Sequence, residues 1–157
     1  MSDWKIVTRD LSIVVDTAIY ASGDVVGGLL SADFSGVHGG GYLWSFHLLD
    51  AVAQNKAMYL YVYNGAPNII ADNGAWALTA AAGKLLRGRI AFNASDYLTL
   101  SAMGWGSIPA VNDQTGKLIH FPNLSNGLLY FYLVTNGSTP DYVATSDLYG
   151  EVTAYLI

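Results

Sequence analysis

The sequence predicts an all-β protein, an antiparallel β-sandwich or jelly roll of about eight or nine strands with at most one short helix. Short apolar stretches alternate with clusters of Gly, Asn, Asp and Ser, which are typical of turns. Outside residues 75–84, no segment repeats apolar residues with the 3.6-residue period of a helix. The length of 157 residues fits one domain with a full core.

Nine stretches have the length and composition of strands. In chain order they are residues 12–17, 25–31, 42–49, 57–64, 85–92, 97–103, 117–121, 128–135 and 148–156. One or two helical turns are expected within 75–84, with Gly83 as the C-terminal stop. Residues 1–11 are expected to form an N-terminal arm or an edge strand, and residues 12–157 a single β-sandwich domain.

A short motif recurs three times, each time just before a predicted strand. Its copies are Ala-Ser-Gly-Asp at 21–24, Ala-Ser-Asp at 94–96 and Ala-Thr-Ser-Asp at 144–147. Asp and Ser side chains form hydrogen bonds with nearby backbone N–H groups and so fix a turn. We therefore interpret the three motifs as turns that lead into strands, rather than as three acidic sites.

Two predicted strands, 57–64 and 128–135, are apolar on one face and rich in tyrosine on the other, because successive side chains alternate between faces. The tyrosines are Tyr59, Tyr61, Tyr63, Tyr130 and Tyr132. Two explanations stay open: the tyrosines contact another protein, or they form cross-strand pairs on a half-exposed sheet. With Trp4 and Trp105, they are the candidate interface residues.

Charged residues are scarce in this chain. They make up 12% of it, against about 25% in an ordinary soluble domain, whereas 52% of the residues are apolar. So few ions cannot cover a whole surface, and we expect much of the surface to face another protein. The net charge of −5 argues against a nucleic-acid partner, whose phosphates require clusters of Lys and Arg.

Several further classes are disfavoured. No apolar run approaches the roughly 20 residues of a membrane-spanning helix, so no membrane partner is expected. Residues 1–10 lack the pattern of a signal peptide, which favours synthesis in a cytoplasm. The absence of Cys excludes disulfide bonds and thiolate metal sites.

No catalytic, cofactor or metal motif stands out. His38, His47 and His120 are isolated, so the spacing of a zinc site is missing, as are phosphate-binding and nucleophile-elbow motifs. Glu151 lies in the middle of a predicted strand and is expected to face solvent or to pair with Arg87 or Arg89. We therefore predict a protein that is not an enzyme and that binds no cofactor.

One aromatic alternative concerns Trp105, in the Gly-rich stretch 103–109 that is expected to be a loop. With Tyr97 and Trp44, its ring is a candidate platform on which a sugar stacks. The competing interpretation is a loop tryptophan that packs over the end of the sandwich.

Four segments together make up just under a third of the chain: residues 15–30 with the run Ala-Ser-Gly-Asp-Val-Val-Gly-Gly-Leu, residues 50–63, residues 94–98 and residues 142–153. In these segments the chain resembles capsid cement (decoration) proteins and related head proteins of tailed bacteriophages. The resemblance implies a β-sandwich or jelly roll that forms a homotrimer, binds the outside of the shell and bridges subunits of the major capsid protein. It implies a location on the virion surface and no catalysis, and it carries over no individual functional residue.

Two rival functions remain at this point. A phage tail or baseplate module that binds host carbohydrate shares the predicted fold and composition. A glycan hydrolase on a jelly roll ranks last, because the sequence shows no cluster of His, Asp or Glu other than the Asp residues expected in turns.

Overall fold

The structure is a computed structural model that describes residues 5–35, 40–100, 103–108 and 118–157, with the backbone alone for 99–100 and 103–108. Ten strands form in this part of the chain: β1 (Lys5–Leu11), β2 (Val25–Asp33), β3 (Gly41–Asp50), β4 (Met58–Tyr63), β5 (Leu86–Phe92), β6 (Tyr97–Leu100), β7 (Met103–Ile108), β8 (His120–Phe121), β9 (Leu128–Thr135) and β10 (Leu148–Leu156). Helical structure is limited there to one turn, α1 (Ala80–Gly83), and a 3-10 turn at Ala94–Asp96. The prediction of an all-β fold is confirmed.

The strands form two antiparallel sheets that pack as a β-sandwich. The six-stranded sheet has the order β1-β10-β3-β7-β6, with β8 beside β3, and the four-stranded sheet has the order β2-β9-β4-β5. Side chains from both sheets form the main core, in which Phe46, Phe92 and Phe131 are fully buried. Burial alternates residue by residue along β10, as expected for a strand between a core and the surface.

The predicted strand at 12–17 is wrong. Ile13 and Val15 are buried, as the apolar alternation suggested. The segment nevertheless lies against a loop rather than a strand, and the Val15 N–H donates to the Thr145 carbonyl at 3.1 Å. Burial alternates along this segment, but the segment forms no ladder of backbone hydrogen bonds with a neighbouring strand. It is therefore irregular rather than a strand.

One other element differs from expectation. The stretch 103–109, expected as a loop, contains β7, which pairs with β3 and β6. The short helix expected within 75–84 is present as the single turn α1, which ends at Gly83 and whose N-cap Thr79 accepts a hydrogen bond from the Ala82 N–H at 3.1 Å.

The three Asp-terminated motifs are turns, as predicted. Asp24, Asp96 and Asp147 each immediately precede a strand, β2, β6 and β10 respectively. In each turn, the carboxylate accepts a hydrogen bond from a backbone N–H three residues earlier. The donors are Ala21 (2.7 Å), Asn93 (2.7 Å) and Ala144 (2.9 Å), and Val143 also donates to Asp147 (2.9 Å).

Candidate functional site

The tyrosines predicted to form an interface lie on the outer side of the four-stranded sheet, where the chain covers most of them itself. Tyr63 and Tyr132 are 0% exposed, and Tyr61 and Tyr130 are 7% and 9% exposed. They form a second hydrophobic cluster with residues of the segment 64–85, here called the covering segment. These four rings are therefore buried within the monomer, and a partner approaching this side meets the covering segment first.

Stacking and hydrogen bonds hold the covering segment on the sheet. The ring of Trp76 stacks on that of Tyr61, with centroids 4.2 Å apart and planes inclined by 24°. The Tyr132 hydroxyl donates to the Asn68 carbonyl at 2.7 Å and accepts from the Ile70 N–H at 2.9 Å. Ring contact and hydrogen bonds thus fix the segment at separate points.

Neither sequence-based explanation of the tyrosines describes this face fully. Cross-strand pairs are present, with Tyr61 opposite Tyr132 and Tyr63 opposite Tyr130, but the face is not half-exposed. Tyr59 is the half-buried member of the set, and the Arg89 guanidinium lies 4.1 Å from its ring centroid.

The two candidate tryptophans stay predictions. Trp4 lies outside the described residues. Trp105 occupies the position in β7 between Leu49 of β3 and Leu98 of β6, and its side chain is outside the description. Tyr97, proposed with it as a sugar platform, is 8% exposed and donates its hydroxyl to the Lys56 carbonyl at 3.1 Å. That ring is therefore not available for stacking.

A different surface is left without such a cover by the residues that the structure describes: the solvent side of the six-stranded sheet, here called the outer face. It comprises the outward-facing residues of β1, β10 and β3, namely Ile6, Thr8, Asp10, Tyr149, Glu151, Thr153, Tyr155, Tyr42, Trp44, His47 and Leu49. A hydrogen bond of 2.9 Å between the hydroxyls of Thr8 and Thr153 links two of these strands. The outer face divides into an apolar end and an acidic end.

The apolar end is a shallow groove, here called the aromatic groove. It has a volume of about 340 Å³ and is lined by Tyr42, Trp44, Leu118 and Tyr155. The rings of Trp44 and Tyr155 lie 6.3 Å apart between centroids, and Trp44 remains 45% exposed. Ile6, opposite Tyr155 in the register and 62% exposed, extends the apolar surface beyond the groove. Exposed large apolar groups grouped in this way mark a contact surface.

A β-bulge explains why Trp44 faces outward. Thr153 of β10 pairs with Ser45, and the next residue, Ala154, pairs with Leu43, so that Trp44 is the extra residue of β3. One extra residue reverses the inward and outward alternation on either side of it. Trp44 therefore lies on the same side as His47, which faces outward, while Phe46 points into the core.

The acidic end of the outer face carries two carboxylates on neighbouring strands. Asp10 lies directly opposite Glu151 in the register, and Tyr149 donates its hydroxyl to Asp10. This hydrogen bond raises the pKa of Tyr149 to about 12. The expected pairing of Glu151 with Arg87 or Arg89 is wrong, because those arginines lie in β5 of the other sheet, and Glu151 instead lies 3.7 Å from the His47 ring.

Two buried acidic residues, Asp50 and Asp147, serve the backbone of the fold. Asp50 and Asp147, which are 1% and 7% exposed, accept hydrogen bonds from the backbone of their own loops. Burial raises the pKa of the Asp50 carboxyl. Among the described residues, no group of three or more His, Asp or Glu side chains is placed to hold a metal ion.

The described residues include no helix that is long and apolar enough to cross a membrane. No protein-family model matches the sequence, and no curated protein matches it. Among solved structures, a chain of a Nora virus structure is 15% identical with a TM-score of 0.33 and covers 99% of this chain, which spans 55% of that one. The vertex protein P5 of PRD1 is also 15% identical with a TM-score of 0.33, and the match covers 96% of both chains. Likeness at this level transfers no function.

Proposed function

We propose that the chain is a non-enzymatic structural protein of a phage virion, a capsid cement (decoration) protein that binds the outer surface of the major capsid shell and stabilises it. The observation that carries the proposal is the aromatic groove on the outer face, which the described part of the chain leaves exposed, in a chain with only 12% charged residues. Aromatic rings with little charge around them are typical of the centre of a protein interface. The resemblance of residues 15–30 and 142–153 to cement proteins supports the same assignment.

Binding alone is enough to stabilise a shell. A protein that binds the assembled shell and not its dissociated subunits shifts the equilibrium towards assembly by mass action. If the protein is a homotrimer, as the resemblance implies, three copies of the outer face engage neighbouring capsid subunits at once. Such multivalent binding holds more tightly than any single contact and bridges the subunits.

Two measurements test this proposal. The purified protein is added to expanded capsids that lack it, and co-sedimentation is followed with concentration; saturable binding at or below about micromolar concentration, with a higher disassembly temperature of the shell, is expected. Failure to bind at that concentration refutes the cement function. Light scattering after size exclusion tests the trimer, because three chains of 16.8 kDa give about 50 kDa.

The second candidate is a tail or baseplate module that binds host carbohydrate. The exposed ring of Trp44 beside Tyr155 is the observation that favours it, since sugars stack on such rings. Against it, the aromatic groove is lined mainly by apolar atoms, whereas carbohydrate sites also need several convergent polar groups. A glycan array that gives hits lost in Trp44→Ala supports this alternative, and an array without hits removes it.

A further inference from the structure

We infer that the outer face docks a protein segment that presents an apolar anchor and a basic side chain about 13 Å apart. This inference rests on the proposed function and specifies the chemistry of the capsid surface that the protein recognises. The apolar anchor occupies the aromatic groove, and the basic group lies against Asp10 and Glu151.

The spacing follows from the strand that joins the two ends of the outer face. Tyr155 in the aromatic groove and Glu151 at the acidic end are four residues apart on β10. At about 3.3 Å per residue, this separation is about 13 Å. Between them lies the Thr8–Thr153 hydroxyl pair, which offers polar atoms to the backbone of an extended segment.

The acidic end of the outer face can accept a further basic group, because His47, 3.7 Å from Glu151, is the base that the outer-face residues place beside its two carboxylates. Asp10 and Glu151 are directly opposite each other, and like charges in this position destabilise a sheet. Among the outer-face residues that the structure describes, none is Lys or Arg. A basic group supplied by the partner relieves the repulsion, so that the two carboxylates weaken the free protein and strengthen the complex.

The same argument identifies the occupant as a different protein. Two copies of the chain that met through their outer faces would bring carboxylates together with aromatic, aliphatic and threonine side chains, with His47 as the base beside Glu151 and no Lys or Arg among the described outer-face residues of either copy. Such a contact gives the carboxylates of neither copy a Lys or Arg partner. A segment of the major capsid protein with one apolar and one basic residue satisfies both ends.

Capsid binding by matched variants is the first test. Trp44→Ala, at a residue already 45% exposed, is expected to weaken binding about tenfold or more, whereas Ile69→Ala, at the 83% exposed Ile69 of the covering segment, leaves it unchanged. The pair D10N/E151Q is expected to weaken binding several-fold at low salt and to flatten its dependence on salt concentration. Equal affinity for wild-type protein and Trp44→Ala overturns the inference, although capsid binding itself then stands.

The D10N/E151Q double variant has its own control. The pair D33N/D141N removes the same two charges elsewhere, and the amide oxygen that it introduces at position 33 can still accept the hydrogen bond that Asp33 accepts from the Ser35 N–H. D10N/E151Q is expected to melt at the same or a higher temperature than wild type while binding less tightly. If D10N/E151Q and D33N/D141N lose capsid binding equally, binding depends on the net charge of the protein rather than on the carboxylates of the outer face, and the inference is overturned.

A second test needs no capsid. Labelled protein is titrated by NMR with the extended peptide Trp-Ser-Thr-Ser-Lys and with the same peptide ending in Glu, both with blocked termini. The Lys peptide is expected to bind several-fold more tightly, with shifts concentrated in β1, β3 and β10 and lost in Trp44→Ala. Shifts elsewhere, no shifts, or equal binding of the two peptides overturn the inference, whatever the capsid experiment shows.

Discussion

The hydroxyl of Tyr132 is expected to hold the covering segment in place, and Tyr132→Phe tests this with the loss of one oxygen atom. The hydroxyl donates to the Asn68 carbonyl and accepts from the Ile70 N–H, at 2.7 and 2.9 Å. Phe keeps the buried ring and its packing beneath the covering segment. The variant therefore removes two hydrogen bonds and leaves two backbone groups without their partner.

The magnitude follows from those two bonds. Each contributes about 0.5–1.5 kcal/mol net, and the backbone groups are only part-buried, so that water replaces some of the loss. We expect the free energy of unfolding to fall by about 1–2 kcal/mol. In a domain of this size, that corresponds to a decrease in Tm of about 2–8 °C.

Tyr142→Phe is the matched control, because it is the same chemical change at an equally buried tyrosine. Tyr142 is 1% exposed, and its hydroxyl has no hydrogen-bond partner among the described residues. Its removal is expected to leave Tm unchanged or to raise it. Calorimetry and urea unfolding measure both variants, and hydrogen exchange at the Ile70 amide should accelerate in Tyr132→Phe alone. An unchanged Tm in Tyr132→Phe, or an equal decrease in both variants, refutes the reasoning.

Three further changes test other parts of the fold. Asp147→Ala, which removes the acceptor of two backbone N–H groups, is expected to lower the free energy of unfolding by about 1–3 kcal/mol, and an equal effect of Asp141→Ala at an exposed position would contradict this. Burial raises the pKa of Asp50, so its contribution to stability is complete below its unfolded pKa of about 3.9 and is lost as the pH rises through the folded value. Asp50→Asn should reduce this loss when urea unfolding is followed from about pH 4 upwards, and an unchanged pH profile would count against it. Gly41→Ala should destabilise the protein, because a Cβ there would overlap the Tyr155 carbonyl oxygen of β10, and a wild-type Tm would show that the two strands separate easily.

Features that depend on neighbouring residues along the chain were predictable from the sequence. The turns at Asp24, Asp96 and Asp147 need only a hydrogen bond from a backbone N–H to the Asp carboxylate three residues later. All three turns form as expected. The outward position of Glu151 likewise follows from the two-residue period of β10. Local rules hold in these places because no distant element competes with them.

The candidate site was missed because it depends on contacts between distant segments. Strict alternation would place Trp44 in the core with Phe46, and only the register with β10 produces the bulge that turns it outward. The burial of Tyr63 and Tyr132 depends on how residues 64–85 fold back over the sheet, which no periodicity in that segment indicates. The alternation of Tyr149, Glu151, Thr153 and Tyr155 was the available signal for the outer face.

The scarcity of charge has two structural causes, and they have different consequences. One is internal: the covering segment buries a second apolar cluster, which raises the apolar fraction without any partner. Aspartates also serve the backbone. Among the residues that the structure describes, seven accept hydrogen bonds from backbone N–H groups, namely Asp16, Asp24, Asp33, Asp50, Asp72, Asp96 and Asp147.

We propose that the other cause is external and concerns the outer face. Its apolar end contains Trp44 and Ile6, which the described part of the chain leaves 45% and 62% exposed. If the low fraction of charged residues resulted only from burial of the second cluster, Trp44 and Ile6 could be replaced by polar residues without loss of capsid binding. Ile6→Ser and Trp44→Ser should then fold and bind like wild type; a protein that folds normally and no longer binds capsids shows instead that the exposed apolar surface belongs to the interface.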